Sequence, residues 1–269
     1  MRERFDFSER RACRALELAR STFRYQSVKK DETDLRKRII KLAHKNLRFG
    51  YRRVHVMLLR EGLKVNIKRV RRIYREENLS YRIAKRRRFR HKGKFYKPTA
   101  FNHNDHWSID FVMDKTTRRR KLRMLTIVDN FTRESPGVLV DHCLKSKDVV
   151  RYLEILTKVK GKPRQIICDN GPEFISNTFK NWAYDNDIEL NFIRPGRPSD
   201  NAYIESFNSR FREEFLNLNH FENLEEAQKK ADDWRIYYNS ERPHGSLGNR
   251  TPNEFKKMVE SVTTKDEFG

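Results

Sequence analysis

Asp110, Asp169 and Glu205 stand out among the acids by their contexts: the middle of a strand, the end of a strand and the first turns of a helix. Asp110 falls in the middle of WSIDFV, a strand-like run in which an ionised side chain needs a ligand, a metal or a hydrogen-bonding partner to offset its desolvation. Asp169 closes the apolar run IIC and is followed by Asn170-Gly171-Pro172, a turn, so it sits at the carboxyl end of a strand, where open α/β sheets place their ligands. Glu205 lies in NAYIESFNSRFREEF, near the start of a long helix whose Ile204, Phe207, Phe211, Phe215 and Leu218 form a core stripe. Arg212 follows Glu205 by two helical turns and shares its side of that helix, where a guanidinium can hold a phosphate beside a carboxylate.

Three oxygen donors without His or Cys suit Mg²⁺, with Mn²⁺ as substitute. Two such ions about 3.5–4 Å apart would activate an attacking oxygen and stabilise a leaving one in an in-line phosphoryl displacement, with no covalent protein intermediate. The separation of Asp169 and Glu205 is weak evidence by itself in a chain with 37 acids. The force of the set comes from strand centre, strand end and helix start, which one sheet can bring together. Asp114 and Asp129 read as strand-end turn residues, Glu173 as a loop acid and Asp200 as a helix cap. His244 in RPHGSLG has no nucleophile partner and reads as a backbone or DNA contact.

The elements needed to position these groups are legible from residue 101 onward. HWSIDFVM, KLRMLTIVD and VLVDHC read as three strands, the last introduced by Pro136-Gly137. A helix over 146–159 carries Val149, Val150, Leu153, Ile155 and Leu156. RQIICD is a fourth strand, 176–186 a helix, IELNFI a fifth strand, and the long helix starts near Asp200. The expected fold class is therefore α/β, a mixed five-stranded sheet with helical cover. Asn223 with Glu226 predicts a capping box for a helix carrying Ala227, Ala231, Trp234 and Tyr238 inward.

The first hundred residues differ in kind. The net charge of +23 arises wholly there: residues 1–100 hold 33 Lys/Arg against 10 Asp/Glu, and residues 101–269 hold 27 of each. A segregated excess of this size predicts a polyanionic partner, since neutralising phosphates releases condensed counterions. Residues 8–26 read as two short helices, with Ser8 capping the first and Ser21-Thr22 restarting the second, in an N-terminal arm over 1–30. In 31–80, Leu35, Ile39 and Leu42 recur at helical spacing, as do Val54, Met57 and Leu58. A break at Glu61-Gly62-Leu63 precedes a third helix, capped by Asn66, with Val70 and Ile73 inward and Arg69, Arg71, Arg72 and Arg75 on other faces. Helix, turn and basic helix is the helix-turn-helix layout. Residues 81–100 read as a basic linker in which Lys85, Arg86, Arg87, Arg88 and Arg90 would order on phosphates.

WSIDF, VDNFTRE, CDNGPEF, PGRPSDNAYIESFNSRFREE and ERPHGSLGNRTPNEF together resemble the second reading-frame product (OrfB) of bacterial two-frame insertion-sequence transposases. Phe49-Gly50-Tyr51-Arg52-Arg53 resembles that family's Tyr-Gly-Tyr-Arg-Arg segment and adds Arg52 and Arg53 to the candidate DNA contacts. The resemblance implies an RNase H-like, retroviral-integrase-type core over 101–218, behind the basic helix-turn-helix-like region, with a helical extension over 219–269. It implies that Asp110, Asp169 and Glu205 take the DDE positions and Arg212 the basic position after them. The implied reaction is Mg²⁺-dependent cutting of a DNA strand at the element's ends, followed by transfer of the freed 3′-OH. Asn170, Gly171 and Glu173 match the family's turn, which shapes the site. The zinc-binding domain of retroviral integrases has no counterpart, since His103 and His106 lack a nearby Cys pair, so no zinc is expected. Implied partners are the terminal repeats, target DNA, further copies on DNA, and the OrfA product or an OrfA–OrfB fusion.

Cys13, Cys143 and Cys168 form neither a metal pair nor a disulfide framework. No apolar run approaches the roughly 20 residues that span a bilayer. The expectation is a cytoplasmic, nucleoid-associated protein that does not enter membranes. The rival reading is a non-catalytic DNA-binding subunit that depends on fusion to OrfA.

Overall fold

The computed structural model describes residues 8–26, 32–80, 99–194 and 198–266. The basic segment carrying Lys85, Arg86, Arg87, Arg88 and Arg90 lies outside the described residues. Helices α1 (Glu9–Ala15) and α2 (Arg20–Arg24) form the arm. The Ser8 side chain accepts from the Arg11 N–H at 3.4 Å, as the sequence predicts. Ser21-Thr22 does not restart the second helix: it begins one residue earlier, behind Ala19, and the break comes from the left-handed backbone at Glu17.

Three helices follow, α3 (Thr33–Lys45), α4 (Tyr51–Arg60) and α5 (Ile67–Glu76). Their periodic apolar positions meet in one core: Ile39, Val54, Leu58, Val70 and Ile73 are fully buried and Leu42 nearly so. Gly62 adopts a positive φ of 80° between α4 and α5, the conformation glycine takes without a Cβ penalty. Asn66 then caps α5 by accepting from the Lys68 N–H at 2.8 Å. The result is a helical helix-turn-helix-like region.

The sheet has strand order β3-β2-β1-β4-β5. β1 (His106–Lys115), β2 (Lys121–Asp129) and β3 (Val138–Asp141) are antiparallel neighbours. β4 (Gln165–Cys168) and β5 (Glu189–Phe192) run parallel to β1, after crossovers through α6 (Ser146–Lys160), α7 (Pro172–Ile175) and α8 (Asn177–Asp185). Side chains alternate along each strand, so each face has its own core. Trp107, Ile109, Leu125 and Ile127 pack with Val149, Leu153 and Phe179 on one face. Val112, Met124 and Val128 pack on the other against α9 (Ala202–Glu214) and α10 (Leu224–Ser240) through Phe207, Phe211 and Trp234. This is the expected mixed five-stranded sheet with helical cover.

Three local expectations are corrected. Ile155 is 55 % exposed because the buried stripe of α6 runs through Val149, Leu153 and Leu156, and position 155 falls outside that arc. Leu218 is 42 % exposed because α9 ends at Glu214 and a 3₁₀ turn over Leu216–Leu218 brings Leu216 inward instead. The Asn223–Glu226 box is half formed. The Asn223 side chain accepts from the Glu226 N–H at 2.8 Å, while the Glu226 carboxylate accepts from the Glu222 N–H at 2.7 Å. Ala227, Ala231, Trp234 and Tyr238 point inward as expected, and α11 (Pro252–Asp266) closes the chain. Among the described residues no helix is long and apolar enough to cross a membrane.

The helical region and the sheet domain share a charged seam. Glu214, at the end of α9, accepts from buried Arg242 at 2.6 and 2.7 Å and from Arg53 of α4 at 3.2 Å. The Tyr237 hydroxyl donates to Asn46 Oδ1 at 2.5 Å beside it.

Candidate active site

The period-two alternation of β1 turns Asp110 to the same face as Val112, towards α9. One of its carboxylate oxygens accepts from the Phe111 N–H at 2.7 Å, and the other accepts from Asn208 Nδ2 at 2.8 Å. Thr126, opposite Asp110 in the β1–β2 register, donates its hydroxyl to Asn208 Oδ1 at 2.7 Å. That bond fixes the Asn208 amide with its NH₂ towards the carboxylate. Burial raises the Asp110 carboxyl above its ordinary value. The negative charges of Asp169 and Glu205 push the same way, against the Phe111 and Asn208 hydrogen bonds.

Asp169 follows β4, half-buried. It is held by the Gly171 N–H, which donates to Oδ1 at 3.1 Å, while Asn170 Nδ2 ties the turn to the Ile193 carbonyl at 2.8 Å. A Cβ at Gly171 would stand 3.0 Å from Asp169 Oδ1, so any larger residue there would press on that carboxylate. Glu205 lies in the first turn of α9 and reaches solvent, and the protein packed about it raises its carboxyl. Arg212 is exposed on the last turn of the same helix.

The structure therefore places Asp169 and Glu205 close enough for their charges to act on Asp110. The donor set is all hard oxygen, and the repulsion on Asp110 is what a divalent cation would relieve, so the residues fit Mg²⁺ or Mn²⁺ in kind. Among the described residues no three His, Cys, Asp or Glu side chains are gathered tightly enough to hold an ion together.

The other acids have structural partners. Asp129 accepts from the N–H groups of Asn104, Phe131 and Thr132 and from the Thr132 hydroxyl. Asp114 accepts from the Lys115 N–H at 2.8 Å, and Glu173 pairs with Arg123. Asp200 lies in the 3₁₀ turn Pro198–Asn201 ahead of α9 and takes both arms of Arg194, at 2.7 and 2.9 Å, while Asn201 occupies the N-cap position of α9 without a side-chain bond. His244 is buried, lies 3.3 Å from the Tyr238 carbonyl, and is pushed down to about 3 by its burial.

The candidate DNA contacts divide. Arg52, Arg71 and Arg75 are exposed, and the first two flank the Tyr51 ring at 5.9 and 5.7 Å. Arg53 turns inward to Glu214, and Arg69 and Arg72 pair with Glu32 at 2.7 and 2.6 Å. Asn208 and Thr126 were missed by sequence reasoning. The signal for Asn208 was present, since a residue three positions after a helical carboxylate lies beside it. Thr126 needs the strand register, which the sequence does not print.

The Integrase core domain family matches residues 102–198 and, in a second profile of that description, residues 186–252. The HTH-like domain family matches residues 29–88. The chain is similar to the 31.7 kDa protein of insertion element IS407 of Burkholderia multivorans, with 42 % identity over 95 % of this chain and 92 % of that one. It is 26 % identical to the transposase for insertion sequence element IS904 of Lactococcus lactis, over 78 % of this chain and 88 % of that one. In three dimensions it is similar to a chain of the simian T-cell lymphotropic virus intasome in complex with a PP2A regulatory subunit. The TM-score is 0.52 at 15 % identity, over 81 % of this chain and 74 % of that one.

Proposed function

The chain belongs to the insertion-element transposases with an integrase core and an HTH-like domain, and from that membership we propose that it cuts and rejoins DNA strands at the ends of an insertion sequence. The observation that carries this reading is Asp110: an acid in mid-sheet, raised by burial and by two further carboxylates, yet held in place by Asn208. The buried structural acids are better compensated: Asp129 accepts from four donors, and Glu134 and Glu214 are paired with cations.

In the proposed reaction a water oxygen attacks the phosphorus at the element's end. The bond to the 3′ oxygen breaks, and the water proton ends on the new 3′-OH and the bulk. That hydroxyl then attacks a second phosphodiester, so one P–O bond forms as another breaks. Asp110, Asp169 and Glu205 would hold Mg²⁺, or Mn²⁺ in its stead, as one ion or two. The metal supplies Lewis acidity at the phosphoryl group and at the attacking and leaving oxygens. Asn208 orients Asp110, the 169–171 turn orients Asp169, and Arg212 holds a phosphate near the reacting one.

Residues 101–218 are the catalytic unit in this reading, 31–80 the DNA-binding unit, 81–100 the linker between them, 1–30 an arm and 219–269 a C-terminal extension. The partners are element ends and target DNA, further copies of the chain at synapsis, and the OrfA product, in the cytoplasm on the nucleoid. The candidate contacts left facing solvent, Arg52, Arg71 and Arg75, are the first to meet DNA. A second reading, binding without cutting until fused to OrfA, is favoured by the carboxylates not being gathered as a ligand set. Strand transfer by Asp169→Asn on cognate ends in Mg²⁺ tests the first reading: it should fall below about 1 % of wild type, since removing a group made for the transition state costs at least two decades. Full transfer by the variant would refute it.

A further inference from the structure

We propose that the tip of the β1–β2 hairpin and the C-terminal end of α9 form a phosphate-binding groove for the DNA backbone flanking the cut bond. The inference deepens the transposase reading and rests on it for the position of that bond.

From Lys115 to Arg123 the chain carries six Lys/Arg and no acid, inside the half whose charges otherwise balance. Arg123 is paired with Glu173. Lys115, Arg118, Arg119 and Arg120 are exposed, and among the described residues none of them, nor Arg212, has an acid at ion-pair distance. The tip is also built rather than loose. The Arg119 N–H donates to the Thr116 carbonyl at 2.8 Å, and the Thr116 N–H to the Arg120 carbonyl at 2.9 Å. The Thr117 N–H donates to the Phe221 carbonyl at 2.9 Å, which anchors the hairpin to the segment after α9. Arg119 holds a φ of 61°, a conformation that Gly or Asn adopts more cheaply.

Between the tip and α9 lies a groove of about 510 Å³ lined by Lys115, Arg119, Arg212, Asn217, Asn219 and His220. Asp114 is the one acid on its wall, with its carboxylate accepting the Lys115 N–H. The hollow on the far side, bordered by Arg118 and Arg120, also carries Glu222 and Glu225, so the Arg119 side is the more positive.

β1 and α9 both lead from the carboxylates to this groove. Arg212 is seven residues past Glu205, about 10 Å along a helix, and Lys115 is five past Asp110, about 17 Å along a strand. At roughly 3.4 Å of rise per nucleotide, these cations meet phosphates about three and five steps from the reacting one. Guanidinium forks and amides suit phosphate oxygens and carry no sequence information, so the ligand is the backbone itself.

The test is the salt dependence of binding by the full-length chain, wild type against Lys115→Gln/Arg119→Asn, on two duplexes of about 30 base pairs, one unrelated and one ending in the element's terminus. The slope of log K against log salt should fall by about 1–2, since each lost phosphate contact removes about 0.9. A charge-retaining Lys115→Arg/Arg119→Lys variant should keep the wild-type slope, which separates contact from misfolding. A fall on both duplexes supports a groove for any backbone, and a fall on the terminus alone assigns it to the element's own strand. No fall on either overturns the groove. Wild-type nicking measured alongside keeps the two readings apart. A slope change without any metal-dependent nicking would sink cutting by this chain alone and leave the groove, whereas nicking without a slope change would sink the groove alone.

Discussion

Asp110 costs the fold something, and the cost has a sign. Its carboxyl is raised by burial and by its neighbours' charges, so the native state binds its proton more tightly than the unfolded chain does. Stability therefore falls as pH rises from the ordinary value of 3.8 through the raised one, and the ionised group is a burden at neutral pH. Asp110→Asn should raise the melting temperature by about 1–3 °C in metal-free buffer while abolishing strand cutting, the usual trade between stability and a strained site. Calorimetry on the two proteins checks this. A variant that melts lower would show that Asp110 is a structural acid whose hydrogen bonds outweigh its desolvation.

Glu134 is the opposite case and gives the acid limb of stability. Burial penalises its charge, but His103, Lys160 and Lys256 overcome that and hold the carboxyl down at about 2. Its contribution is on the order of 3 kcal/mol, present in full above the ordinary value of 4.5 and lost as pH falls from there through about 2. Urea melts of Glu134→Gln should lose that pH dependence, with the wild type and variant converging near pH 2. Curves that stay parallel throughout would place the acid sensitivity elsewhere.

At the scale of elements, α9 carries both ends of the account. Glu205 and Asn208 face the sheet acids from its first turns, and Glu214 at its end accepts from Arg242 and Arg53. Arg53 belongs to α4, so the helix that presents Glu205 is fastened to the HTH-like region through a buried ion cluster. Arg242 is only 2 % exposed, and removing its partner leaves an uncompensated buried charge. Glu214→Ala should cost about 3–5 kcal/mol in chemical denaturation, whereas an exposed pair such as Lys45–Glu241 is worth under about 1. A loss below about 1 kcal/mol would mean that water or the remaining tyrosines compensate the guanidinium.

Over the whole molecule, the division into a basic half and a balanced half is a sequence property that needs no coordinates. The strands and helices were legible because their periods of two and 3.6 are written in Ile109, Val112, Leu125 and Ile127, and in Val149, Leu153 and Phe207. Asp110 stood out because an acid in mid-strand is expensive, Asp169 because it ends a strand before a turn, and Glu205 only by its place at the start of the long helix. Three kinds of feature were not legible. Asn208 and Thr126 act through a strand–helix contact that neither element's own pattern encodes. Arg53 reads as a surface cation until its partner, 161 positions away, is seen to face it. Leu218 was misread because helix ends depend on cap geometry, which periodicity does not carry.

Strand cleavage on labelled element ends tests the central claim most directly. The assay is run in Mg²⁺, Mn²⁺ and EDTA, with wild type beside Glu205→Gln and with DNA binding measured on the same samples. Nicking is expected at the element's end in either metal, none in EDTA, and none by Glu205→Gln, whose binding is retained. Nicking that persists in EDTA or in Glu205→Gln would contradict this, because the cut would then depend neither on a metal nor on the carboxylate of Glu205.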